Sequence, residues 1–235
     1  EPAARAGQVG DLETIRVGVA RAWLAELPSG MRDCLAAALR QLEARGATLA
    51  DVELPDLDLL TATNRMIAYA EGSTHHEPLL RSTPDYGANV RPRMEAGRFL
   101  LAGEYLTAQR VRATQCAALG ALWSDVDILL TPTLPCTAPV AGSMTVEVAG
   151  RALSMGTALI RYTGPFNLSG APAINVPCGR DTDGLPIGLQ LAAAPFEERL
   201  LCYVAAAAEA EIGFEYSVGE HPRAGTPVVD VGTAE

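Results

Sequence analysis

The stretch Thr163–Leu191, TGPFNLSGAPAINVPCGRDTDGLPIGLQL, decides how the rest of the chain is read. It holds two apolar runs, Ala173–Val176 and Ile187–Leu191, each short enough to be a buried strand. A turn signal introduces each one: Gly170-Ala171-Pro172 before the first and Asp183-Gly184-Leu185-Pro186 before the second. Proline fixes the chain's direction and removes a backbone donor, so prolines this close to strands mark strand ends. Asn167, Gly170 and Pro172 read as a turn, in which glycine and proline set the course and asparagine caps neighbouring backbone groups. Such a loop lines a cleft, because ligands in open α/β sheets bind at strand ends.

Working outward, the same signals recur. Residues 15–20 (IRVGVA) read as a strand, Met31–Arg45 as an amphipathic helix with Leu35, Leu39 and Leu42 on one face, and Ala47–Leu54 as a second strand between Gly46 and Pro55. A strand–helix–strand unit of this kind is the ordinary crossover of a parallel sheet. Leu59–His76 reads as a helix, Asp85–Arg98 as a weaker charged stretch, and Gly103–Trp123 as a long helix. Val126–Thr131 reads as a buried strand closed by Pro132. MTVEVAGRALSM (Met144–Met155) alternates around Ala149-Gly150 as a surface hairpin, and Glu197–Ile212 is the last helix. The fold class expected is α/β. Three segments are expected: a flexible start at 1–14, a body at 15–216, and a loosely held tail at 217–235, where Gly, Pro, Thr and Val mix without period.

A chain of 235 residues with 49% hydrophobic content can bury a substantial core. Its net charge of −10 argues against a general nucleic-acid or anionic-membrane binder. No apolar stretch reaches the length of a membrane span, and charges at Glu1, Arg5, Asp11, Glu13 and Arg16 interrupt any signal-peptide core. Cys34, Cys116, Cys136, Cys178 and Cys202 are widely spaced and never form a C-x-x-C pair, which fits reduced thiols and a cytoplasmic protein better than a disulfide framework or a zinc site. The chain opens on Glu1, as a processed product, a trimmed chain or a partial reading frame would. No Walker loop, dinucleotide fingerprint or metal-ligand spacing is present, so no cofactor and no metal are expected.

The ordered combination P-F-N-x-x-G-x-P-A-x-x-V-P-x-G (Pro165 to Gly179), G-L-P-I-G-L-Q-L (Gly184 to Leu191) and F-E-x-x-L-L (Phe196 to Leu201) closely resembles the C-terminal part of the amidase signature family. Residues 46–55, GATLADVELP, resemble the family just after its catalytic region, so the resemblance runs from about residue 15 to about residue 215. It implies an α/β/α layered fold around a mixed, mostly parallel twisted sheet, and hydrolysis of carboxylic amides through a Ser–cis-Ser–Lys triad. The triad belongs upstream of the segment seen here. All 18 basic residues are arginine, and none of the eight serines (29, 73, 82, 124, 143, 154, 169 and 217) is adjacent to another. Arginine cannot replace the lysine, because the mechanism needs a neutral amine. The chain is therefore expected to supply one wall of a substrate cleft and no catalytic residue, inactive alone. It would work with a missing N-terminal half or a separate catalytic chain, and as a homodimer if it self-associates.

The resemblance also points to site residues. Ala108-Gln109-Arg110-Val111-Arg112 matches an A-Q-x-x-R sequence of the tRNA amidotransferase branch, whose arginine clamps a substrate carboxylate; Arg112 matches that arginine. Guanidinium suits the task through bidentate pairing, although most helix arginines are simply solvated. Tyr86, in Asp85-Tyr86-Gly87, falls where that branch has a tyrosine near its substrate, and it would otherwise be a loop anchor. Asn167 is the third substrate-side candidate. His75 and His76 are adjacent, point apart on a helix and cannot form one metal site. The branch carries an acid about seven residues before this asparagine, facing the substrate's amino group. Ile160 stands there, beside Arg161, which argues for a general amidase over one using free glutamine. Two readings from other classes remain: an independent Cys–His or Ser–His–Asp nucleophile, and a noncatalytic binding module or one component of a multi-chain amidotransferase.

Overall fold

The structure, a computed structural model, describes residues 12–82 and 86–215. Five strands form the main sheet: β1 (Arg16–Val19), β2 (Thr48–Asp51), β3 (Ile128–Pro132), β6 (Ala173–Arg180) and β7 (Pro186–Ala193), in the order β2-β1-β3-β7-β6. β1 pairs parallel with both β2 and β3, whereas β7 runs antiparallel to β3 and to β6. Four strands thus point one way and β7 alone opposes them, which is the mixed, mostly parallel sheet expected. A separate hairpin joins β4 (Thr145–Val148) to β5 (Arg151–Ser154). Its two-residue turn is Ala149-Gly150, both at positive φ (51° and 73°), the geometry a tight hairpin turn demands.

Alternation along the strands sorts the core between the two faces of the sheet. Ile128, Leu130, Leu191 and Ala193 join the larger apolar cluster, whereas Leu129 and its register partner Ala192 face the other way. Two helices, α2 (Ser29–Ala44) and α8 (Glu198–Ile212), pack against β6 and β7. α2 buries Met31, Leu35, Ala38, Leu39 and Leu42, one stripe at helical spacing. On the opposite face Phe166 of α7 (Gly164–Ser169) packs with Leu129 and Ala192. The long helices α3 (Leu57–Ser82) and α5 (Ala102–Leu122) pack on each other and on α7. The remaining short helices are α1 (Arg21–Ala25), α4 (Arg91–Ala96) and α6 (Met155–Ala158).

The structure departs from the sequence expectations in four places. Leu12 is fully buried and its N–H donates to Arg45 O, so the packed body begins ahead of the boundary expected at residue 15. α3 continues past Pro78 to Ser82; proline removes one helical hydrogen bond, and burial of Leu80 with the Arg81–Glu77 pair keeps the last turns in place. β6 runs beyond Pro177 to Arg180 because the register shifts between Pro177 and Gly179, leaving Cys178 as the bulged residue. The charged stretch after Tyr86 folds onto α3 through α4 and a 3-10 turn at Gly97–Phe99. Gly97 allows that contact: a Cβ there would sit 1.9 Å from Tyr69 O. The tail expected beyond residue 216 and the start before residue 12 lie outside the described residues.

Candidate functional site

The turn that dominates the sequence is built as a short helix with a left-handed exit. α7 starts with Pro165 in its first turn and ends at Gly170, φ 72°, where any side chain would be strained. Ser169, not Asn167, serves the local backbone: its hydroxyl donates to Phe166 O and accepts Ala171 N–H, both at 3.4 Å. Asn167 lies on α7 with its side chain exposed. The capping role expected of it falls to Ser169 because helix formation occupies Asn167's own neighbours.

α5 supports α7 from the side. Tyr105, Gln109, Arg112 and Cys116 follow one another at helical spacing on one face of α5. Arg112 Nε donates to Leu168 O at 2.8 Å, and Cys116 Sγ reaches the same carbonyl at 3.3 Å. Leu168 is in the last turn of α7, where carbonyls lack helical partners and a cation is favourable. Arg112 is half-buried, and none of the ion pairs among the described residues includes it. Between α3 and α5 lies a cavity of about 370 Å³, lined by Ala62, Thr63 and Met66 on one side and Gly103, Glu104, Thr107, Ala108 and Val111 on the other.

The structure therefore brings Arg112 and the Asn167 helix together and places Tyr86 in a different contact. Tyr86 OH lies 2.8 Å from His76 Nδ1, with the rings edge to face at 5.6 Å. Gln109 belongs to the A-Q-x-x-R sequence and bonds Arg112, whereas two polar residues bonded to Gln109, Glu71 of α3 and Tyr105, are not among the sequence candidates. The Tyr105–Gln109–Arg112 spacing was the available signal, whereas Glu71 reaches them only through packing of α3 on α5.

Arg161 turns out to be a structural clasp. It is buried, its Nε and Nη2 bind the two carboxylate oxygens of Glu26 at 2.8 and 2.7 Å, and its Nη1 binds Asp58. Tyr162 OH adds a bond to Glu26 at 2.9 Å, and Arg151 pairs with Asp58 at 2.8 Å. Burial alone would lower the Arg161 pKa, yet the bonds to Glu26 and Asp58 outweigh it and raise it. Hydrogen bonds from Arg151 and then Arg161 lower Asp58 to about 2. Burial, then Glu26, pushes the Tyr162 hydroxyl up. Behind this clasp Gln190 Nε2 donates to Thr131 Oγ1 and Tyr162 O, both at 3.0 Å, tying the segment before α7 to the sheet.

An independent nucleophile finds no support in this geometry. Burial pushes the Cys178 thiol up to about 12 and raises Cys136 as well, which leaves little thiolate. No hydrogen bond joins a histidine to a cysteine or serine among the described residues. Among those residues no group of three His, Cys, Asp or Glu side chains is placed to hold a metal ion.

Comparison with known proteins gives this arrangement its context. A family model described as Amidase matches residues 1–202. The chain belongs to the amidase signature family. An amidase of Pseudomonas putida is 34% identical over 167 residues, covering 70% of this chain and 36% of the relative. A glutamyl-tRNA(Gln) amidotransferase subunit of Brevibacillus brevis is 31% identical over 231 residues, covering 87% of this chain and 46% of the relative. A crystal structure of an amidase superposes with a TM-score of 0.77 at 27% identity, over 86% of this chain and 47% of that one. The chain thus spans less than half the length of each of these relatives. No helix among the described residues is long and apolar enough to cross a membrane.

Proposed function

We propose that this chain forms the substrate-orienting wall of an amidase signature hydrolase that cleaves carboxylic amides. The family's serine–cis-serine–lysine triad would be supplied by a segment outside these residues or by a separate chain. In that chemistry a neutral lysine draws a proton through the bridging serine. The activated serine attacks the amide carbonyl, amine leaves, and water hydrolyses the acyl-enzyme. A chain with no lysine and no paired serines can hold and orient the substrate but cannot carry out the covalent step. The observation that carries this reading is the bond from Arg112 to Leu168 O, which sets a cation beside the family's characteristic turn. Arg112 is the candidate contact for a substrate carboxylate, Asn167 on the exposed surface of α7 a second, and Tyr86, held by His76, a third. A small-molecule amide in the cytoplasm is the substrate class this reading entails.

Arg112→Ala in the complete enzyme tests it. The preference for an amide bearing a carboxylate near the scissile bond over its neutral analogue should fall by roughly 10²-fold, the worth of one charge-assisted contact. Equal losses on both substrates would return Arg112 to a purely structural role. A second reading, one component of a multi-chain amidotransferase, is favoured by the relatives that are amidotransferase subunits. Ile160, standing where that branch has an acid, weighs against it.

A further inference from the structure

The face of α5 that carries Arg112 also carries an oriented series of hydrogen bonds. Glu71 Oε1 accepts the Tyr105 hydroxyl at 2.8 Å and, more distantly, Gln109 Nε2 at 3.4 Å. Gln109 Nε2 donates to the Tyr105 oxygen at 2.8 Å. Gln109 Oε1 accepts Arg112 Nη1 at 3.5 Å, and Arg112 Nε donates to Leu168 O at 2.8 Å.

The direction of the series is dictated by its two ends. An ionised carboxylate only accepts and a guanidinium only donates. Tyr105 must therefore give its single proton to Glu71, and its oxygen is left to accept from the Gln109 amide nitrogen. That choice turns the Gln109 carbonyl towards Arg112, the one end of the amide a guanidinium can use. With the amide reversed, two donors would face each other. Bonds at Nε and Nη1 fix the plane of the guanidinium; with Nε engaged, the Nη1–Nη2 edge remains, one of the two edges at which a guanidinium takes a planar carboxylate bidentately. Glu71 is exposed, so its contribution to core packing is small.

We propose that Glu71, acting through Tyr105 and Gln109, is a positioning residue that sets the Arg112 guanidinium for a carboxylate carried by the substrate. The inference rests on the reading of Arg112 as a substrate contact. Glu71→Gln is the informative change, because it keeps the shape but gives the far end a donor. The new amide can donate to the Tyr105 oxygen, the tyrosine proton then turns to Gln109, and the amide facing Arg112 flips. Tyr105→Phe interrupts the series at its middle and carries the test if the first variant is poorly folded.

Two measurements decide it. In the complete enzyme, the kcat/KM preference for the acidic amide over its neutral analogue should fall about fivefold in each variant, mainly through KM, as loss of one net hydrogen bond predicts. In the same complete enzyme, the Arg112 Nε–Hε nuclear magnetic resonance signal should shift in both variants. An unmoved Arg112 signal in both variants overturns the inference whatever the kinetics. An unchanged preference in both variants, with Arg112→Ala still lowering it, overturns the relay and leaves the role of Arg112 standing. If Arg112→Ala lowers both substrates equally, the role of Arg112 fails and the relay falls with it.

Discussion

Replacing Arg161 with methionine keeps much of the side chain's volume and removes the cation from a buried clasp. Arg161 is 3% exposed and binds Glu26 through two bonds and Asp58 through a third. Breaking a fully buried ion pair from one side typically costs about 3–5 kcal/mol, because the partner charge is left uncompensated. Here the side chains of Glu26 and Asp58 are 25% and 49% exposed, so water screens part of that penalty. About 2–3 kcal/mol is expected at pH 7. Asp58 adds a pH signature. Its carboxyl sits at about 2 instead of 3.8, so its ionised form stabilises the fold above the ordinary value, and that contribution fades as pH falls through about 2. The drop corresponds to about 2 kcal/mol for a buried group and to about 1 kcal/mol after discounting for the exposure of Asp58. Arg151 still pairs with Asp58 in the variant, so only part of this is lost with Arg161. Urea unfolding followed by tryptophan fluorescence suits the assay, since the Trp23 ring lies 5.9 Å from that of Tyr162 beside the clasp. The penalty for Arg161→Met should hold between pH 5 and 7 and shrink between pH 4 and 2. In a double-mutant cycle with Glu26→Gln the two changes should be non-additive. A penalty below about 0.5 kcal/mol at pH 7, or one independent of pH, would refute the reasoning.

Three further outcomes follow from particular residues. Gly97→Ala should destabilise by about 2–3 kcal/mol in the same urea assay, because its Cβ would lie 1.9 Å from Tyr69 O and 2.6 Å from the Ser73 Cβ. Ala149→Asn should stabilise by about 0.5–1 kcal/mol, seen as slower amide exchange in the β4–β5 hairpin, because Ala149 holds φ 51° in a turn that favours asparagine there. Cys178, buried and raised to about 12, should alkylate with iodoacetamide at pH 8 at least about 10²-fold more slowly than the exposed Cys202, as peptide mass mapping would show.

Much of the architecture was legible because local signals and tertiary structure agree. Pro172 and Pro186 mark the starts of β6 and β7, Gly46 and Pro55 bracket β2, and Ala149-Gly150 sits at the hairpin turn. What stayed hidden depends on residues far apart in the chain. Arg161 reads as a stray charge beside Ile160, since its partners Glu26 and Asp58 lie 135 and 103 residues away. α7 reads as a turn because its six residues, opening on Gly164 and closing before Gly170, carry too little helical pattern, and burial of Phe166 against Leu129 and Ala192 and of Leu168 in the larger core holds it as a helix. The β6 extension depends on a bulge that absorbs Pro177, which no local pattern marks. At the site, Arg112 could be picked out by its A-Q-x-x-R setting, whereas Glu71 could not, because its contact depends on how α3 lies along α5.

The most direct test of the account is to label the complete enzyme with a serine-directed fluorophosphonate and locate the modified residue by peptide mass mapping. The account predicts modification of a serine outside these 235 residues, and neither labelling nor amide hydrolysis by this chain alone. A label on any of the chain's own serines, or hydrolysis by the isolated chain, would contradict it.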